Sequence, residues 1–213
     1  QPILARKGDS VCIDWGYFYM PSFNGTVSLG ESTAVMADFI RHGTLPKSQT
    51  EITSRKSYDV PTLAYMRNMG RVTTAKSYMM IGYDEIYDIE YMYHRYKGYW
   101  ARDGHTTIFD AFDRYHRDYL TIMQRSRQVD RRIYDDGLAA GNEHYAELLS
   151  ASYRQVMAAH KLFEDHDGNL LYFSKENASN GCVNTVDLTY PSAPLFLLYN
   201  PQLLKGMMTS IFE

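Results

Sequence analysis

The stretch Ser174–Pro194, SKENASNGCVNTVDLTYPSAP, carries more small polar and charged groups than packing calls for, immediately before the apolar run LFLLYNPQLLKGMM. Two carboxylates, Glu176 and Asp187, stand on either side of Asn180-Gly181. Asn-Gly is a strong turn signal because both residues tolerate positive φ. Beyond it Val183, Thr185, Asp187 and Thr189 alternate with Asn184, Val186, Leu188 and Tyr190, the period of a strand. A β-hairpin is therefore expected, with Glu176 and Asp187 facing each other across it. Carboxylates held together can be driven to different protonation states and divide acid and base roles. In this arrangement either one activates water, Lys175 or Asn177 stabilises an oxyanion, and Asn180, Tyr190 and Ser192 line the substrate site. The alternative is structural: Glu176 pairs with Lys175 or another base, and Asp187 caps the following turn.

Other catalytic templates are missing. The sequence has no G-x-S-x-G elbow, no Gly-rich phosphate loop, no H-E-x-x-H and no S-x-x-K. Asp165, Asp167 and Asn169 resemble half of a calcium loop, but the bidentate acid is not at its place, so a turn bonded to its own Asp side chains is expected. His116 and His160 read as helix-surface histidines. No metal site and no cofactor are implied.

Composition narrows the classes. A length of 213 residues suits one large domain or two small ones. The formal net charge of -3 supplies no basic field for phosphate backbones, which argues against nucleic acid. No apolar run approaches the roughly 18 residues of a membrane span. The 19 Tyr fit wet clefts and sugar faces, or half-buried surfaces. Cys12 and Cys182 have no metal-ligand spacing, and either two thiols or one disulfide fits them. Both ends read as cuts in a longer protein.

The positioning elements form an α+β pattern. Strands are expected at Val11–Met20 and Thr33–Ile40, a loop over 41–60, and two strands around Gly70-Arg71. The spacing of Ile86, Ile89 and Tyr93 predicts a helix over Tyr83–Trp100. A long helix should follow, its stripe running from Ile108, Phe109 and Phe112 through Leu120 to Ile133, with Gly137 as its stop. A second, capped by Asn142, should bury Tyr145, Leu148, Leu149, Val156 and Phe163. Their short connection makes them an antiparallel hairpin across 106–163. A short strand follows the Asp167-Gly168 turn, and Asn200-Pro201 opens a last helix. The division is a β-rich region over 1–82 and a helical-hairpin region over 83–213.

YRQVMAAHKL, with LYFSKENASNGCVNTVDLTYPSAPLFLLYNPQLLKGM, resembles the large glutaminase A family of fungi and bacteria. GDSVCIDWGYFY and YDEIYDIEYMYHRYKGYW fit the same family in the same order. The resemblance implies an extracytoplasmic amidohydrolase that converts L-glutamine to glutamate and ammonia. It also implies that the helical hairpin opens an incomplete (α/α) toroid of the six-hairpin glycosidase type, after the end of a β-sandwich or a linker. Family members are several hundred residues long, so the expected partners are glutamine and the remaining domains of the parent chain, with self-association through exposed apolar faces. Two other readings stand beside it: a carbohydrate-binding or glycosidase-like module with a glycan ligand, and a non-catalytic structural segment.

Overall fold

A computed structural model describes residues 16–52, 60–175 and 181–212. The chain divides into two compact units, one spanning Tyr17–Asp84 and the other built mainly from residues 85–213. The architecture is α+β: helices with small two-stranded antiparallel sheets.

In the first unit β1 (Tyr17–Tyr19) pairs with β4 (Gly82–Asp84), and β2 (Thr26–Glu31) with β3 (Pro61–Met66). Between β2 and β3 lies α1 (Ser32–His42), which replaces the strand expected at Thr33–Ile40. Its few alternating positions fit either period, and Val35 is buried as it is because it packs over the bare backbone of Gly30. Residues 43–52 are irregular, as expected, whereas 72–78 form no strand.

The second unit corrects several larger expectations. Tyr83–Trp100 is not a helix. It runs from the end of β4 through β5 (Ile89–Tyr91) and β6 (His94–Tyr96), joined by a two-residue turn at Met92 and Tyr93, both with positive φ, into a 3₁₀ turn at Tyr99–Ala101. Tyr and Ile suit a pleated, half-buried surface, and that preference overrode a three-residue spacing carried by few positions. The long helix is two: α2 (Ile108–Arg117) and α3 (Tyr119–Ala140), broken at Asp118. A reciprocal capping box between Thr107 and Asp110 starts α2. Gly137 does not stop α3. It is buried within it, where a Cβ would lie 2.6 Å from the Ala146 Cα, so glycine lets the next helix approach.

That helix, α4 (Glu143–Ala159), is capped by Asn142, whose Oδ1 accepts from the Tyr145 N–H at 3.1 Å. Asp130–Arg154 at 2.9 Å and Gly137 against Ala146 fix the pair as antiparallel. Helix α4 ends at Ala159 rather than continuing to Phe163. His160–Glu164 is instead β7, paired with β8 (Leu170–Ser174) across the expected Asp turn, where Asp165 Oδ1 accepts from the Asp167 and Asn169 N–H groups. Of the segment 183–190, expected as the second strand of a hairpin, the part from Val186 onward belongs to helix α5 (Val186–Tyr199), and α6 (Pro201–Phe212) follows with Pro201 first, as expected. The β-hairpin of this region is β7–β8, one element earlier in the chain.

The β7–β8 pair is a wall with two packed faces. On one, Phe163, Leu171 and Phe173 meet Ile89 and Tyr96; on the other, Tyr172 meets Phe196, Leu203 and Met207. Burying each of these large side chains contributes about 1.5–3 kcal/mol. Several residues expected to be buried are instead exposed: Phe109, Leu120, Tyr145 and Leu148. Among the described residues no helix is long and apolar enough to cross a membrane.

Candidate functional site

Strand periodicity sorts the polar residues of β7–β8 onto opposite faces. Lys161 lies across from Phe173, and Lys175 continues the same face one residue past β8, tied by its N–H to the Ala159 carbonyl at 3.0 Å and by a bridge to Val183. Both ammonium groups reach the turn that precedes β5. Lys175 Nζ donates to Glu85 Oε2 at 2.7 Å and to the Asp88 carbonyl at 2.6 Å. Lys161 Nζ donates to Glu85 Oε1 at 3.0 Å and stands 3.8 Å from Asp88 Oδ2.

The acids are placed by a tight local fold. The Tyr87 N–H bonds the Glu85 carbonyl at 2.7 Å, a γ-turn that forces Ile86 to φ 67°. Such a conformation costs a β-branched residue roughly 1–3 kcal/mol and persists only where its surroundings hold it. The Asp88 N–H then bonds the Tyr96 carbonyl, so the β5–β6 ribbon fixes the second acid. Gly98 closes the other side: a Cβ there would sit 2.5 Å from Asp88 Oδ2 and 3.0 Å from Trp100 Nε1.

Glu85 and Asp88 are each 5% exposed, yet their environments differ. Burial pushes the Glu85 carboxyl up, but the hydrogen bond and charge of Lys175, joined by Lys161, outweigh it and hold the group below its usual range. For Asp88 burial dominates: its carboxyl is pushed up to about 6 against the pull of Lys161, with neighbouring Glu85 adding to the rise. Asp88 Oδ2 is buried and has no hydrogen-bond partner. Two carboxylates with protonation driven apart, one clamped and one poised near neutrality, can divide positioning from proton transfer.

The opposite face holds neutral polar groups. His160 lies in β7 and is buried, not on a helix surface; it stacks on Tyr172 and meets the edge of Phe196. Its Nδ1–H donates to the Val156 carbonyl at 2.7 Å, and burial holds the ring below its usual pKa, so it stays neutral. Its Nε2 and the Oγ of Ser174, its cross-strand partner, are buried without hydrogen bonds. Asn184, at φ 52°, donates to the Met207 carbonyl at 2.9 Å and to Ser210, and accepts from Thr189 Oγ1 at 3.2 Å.

Of the residues read from the sequence as the site, Lys175 alone joins the charged cluster among those described. Glu176, Asn177 and Asn180 lie outside the described residues. Asp187 is exposed in the first turn of α5, and Tyr190 is 81% exposed on the same helix. Ser192 is buried, its Oγ donating to the Leu188 carbonyl at 2.6 Å within the helix that contains Pro191 and Pro194. Glu85, Asp88 and Lys161 escaped the sequence reading. The signal was the four acids, Glu85 and Asp88 among them, inside the otherwise aromatic and aliphatic run YDEIYDIEY.

The chain joins two kinds of domain. Residues 1–136 match a domain of unknown function (DUF5127), and residues 142–213 match the glutaminase A six helical-hairpin domain. The chain belongs to the DUF5127 family and, through its second part, is related to the glutaminase A family. It is 30% identical to "Glutaminase A" of Aspergillus oryzae over 94% of its length, which is 30% of that protein. It is also 32% identical to a "Probable glutaminase" of Arthroderma benhamiae over 88 residues, covering 41% of this chain and 10% of that protein. The chain thus spans less than a third of the length of these relatives. No solved structure matches it. The charged cluster straddles the two matches: Glu85 and Asp88 come from the first, Lys161 and Lys175 from the second.

Proposed function

We propose that this chain is a segment of a glutaminase-like amidohydrolase, which hydrolyses the side-chain amide of L-glutamine to L-glutamate and ammonia. The observation that carries the reading is the enclosed Glu85–Asp88–Lys161–Lys175 cluster, assembled where the segment similar to glutaminase A meets the DUF5127 segment. It offers what amide hydrolysis needs, a carboxylate able to exchange a proton near neutral pH and a cation able to meet a developing oxyanion.

In this reading α4, α5 and α6 belong to an (α/α) toroid whose further hairpins cover the exposed faces of Leu148, Leu197 and Leu198. The protein is extracytoplasmic. Asp187, open to solvent at the start of α5, and Glu176 are the alternative water-activating carboxylates, with Asn177, Asn180 and Tyr190 as substrate contacts. The full-length natural protein should release ammonia and glutamate from L-glutamine in equal amounts. Absence of release, with binding of Tyr190-bearing protein to glycans, would replace this reading with a carbohydrate-binding module.

A further inference from the structure

We infer that Asp88 is the catalytic base of this site, with Lys161 as the oxyanion partner and the Glu85–Lys175 pair as positioning residues; the inference rests on the amidohydrolase reading above. Four independent features of the geometry converge on Asp88. Its carboxylate is 5% exposed and one oxygen has no hydrogen-bond donor, a costly state unless that oxygen has a partner to meet. Lys175 does not bond this carboxylate. It takes the Asp88 backbone carbonyl and the Glu85 carboxylate, fixing the turn and leaving Oδ2 without a hydrogen bond, with the Lys161 ammonium as its ion-pair partner. Lys161, 39% exposed in its side chain, is the most exposed member of the cluster, and its ammonium stands 3.8 Å from Oδ2. Gly98 removes the side chain that would otherwise fill the space against Oδ2.

The step balances with water as the only co-reactant. Asp88 carboxylate takes a proton from water as the oxygen of that water forms a bond to the amide carbon. The carbonyl oxygen becomes an oxyanion and accepts a hydrogen bond from Lys161 Nζ. Asp88 then gives the same proton to the amide nitrogen, the C–N bond breaks, and ammonia leaves. The carboxylic acid formed loses its proton to the ammonia, giving carboxylate and ammonium. The charged groups facing Asp88 are Glu85 from its own turn, Lys161 from β7 and Lys175 beyond β8. Glu85 stays ionised throughout, since the two lysines hold it so.

The test is steady-state ammonia release from L-glutamine by the full-length protein, its Asp88→Asn variant and its Lys161→Met variant, across pH 4.5 to 9. Asp88→Asn should lower kcat by about a hundredfold or more, the scale of a general base, with a far-UV spectrum like that of the wild type. Lys161→Met should move the acid limb of the pH profile upward, because the cation that favours ionised Asp88 is gone. An active wild type with an equally active Asp88→Asn variant overturns the assignment and returns the base to Asp187 or Glu176. An unshifted acid limb in Lys161→Met overturns it as well. A wild type inactive on glutamine overturns the amidohydrolase reading itself, and this assignment with it.

Discussion

The two faces of the β7–β8 wall hold their polar groups in opposite ways. On the face toward β5–β6, four charged groups engage one another, and one carboxylate oxygen, Asp88 Oδ2, is left without a hydrogen bond. On the face toward α5 and α6, neutral groups do the joining: Asn184 ties the start of α5 to the end of α6, and His160 is locked by Val156 between aromatic rings. Chain separation differs as well. Lys175 reaches Glu85 across 90 residues, whereas Asn184 reaches Met207 across 23. The difference teaches that burial of polar groups alone does not mark a site. A neutral network fixes a fold even with single atoms such as His160 Nε2 and Ser174 Oγ left unbonded, whereas an enclosed charge cluster with a poised carboxylate costs stability and is retained for what it can do.

The strongest way to break that distinction is to remove one charge. Lys175→Met leaves Glu85 buried without its closest cation and should destabilise the protein by about 3–5 kcal/mol in urea unfolding. Combining it with Glu85→Gln should restore most of that loss. A double variant as unstable as the single one would show that Lys175 acts through packing. On the neutral face, Asn184→Ala removes the amide that serves Met207, Ser210 and Thr189 and should cost roughly 2–3 kcal/mol. Glutamine turnover per folded molecule should stay near the wild-type value, and a large loss would move the site to this face.

A smaller effect concerns pH. The Asp88 carboxyl sits at about 6 in the folded protein, above its ordinary value of 3.8. The folded state therefore holds this proton more tightly than the unfolded chain, so the group's contribution to stability is full below pH 3.8 and is lost as pH rises through 6. Glu85, held below its ordinary range, works in the other direction, its contribution being lost as pH falls below 4.5. Asp88→Asn should flatten the decline between pH 4 and 7 in chemical denaturation. An unchanged slope would mean that Asp88 is ordinary. Smallest of all, Ser174→Ala deletes a buried hydroxyl without a partner and should change stability by less than about 1 kcal/mol in either direction.

What the sequence made legible was local. Asn142, the Asp165 turn and Asn200-Pro201 each act through bonds within a few residues, and each stands where expected. The Val186–Tyr199 segment was misread because its alternation fits a strand, while Thr185 and Ser192 belong to a helix start and a helix interior. Two prolines in that helix further hid its period. The family relationship was also legible, since it is written in a long continuous block. The charged cluster was not. Its lysines lie 73 (161 less 88) to 90 residues from its acids, and no local spacing links YDEIYDIEY to Lys161 or Lys175. Lys175 was read as an oxyanion partner beside Glu176, whereas its ammonium donates to Glu85.

The most direct measurement is the titration of Asp88 itself, followed by the carboxyl carbon signal of ¹³C-labelled aspartate and assigned by its loss in Asp88→Asn. A midpoint of about 6 that moves upward in Lys161→Met is the predicted result. A midpoint near the ordinary 3.8, unmoved by Lys161, would show that the enclosed cluster holds no poised base and would contradict the account.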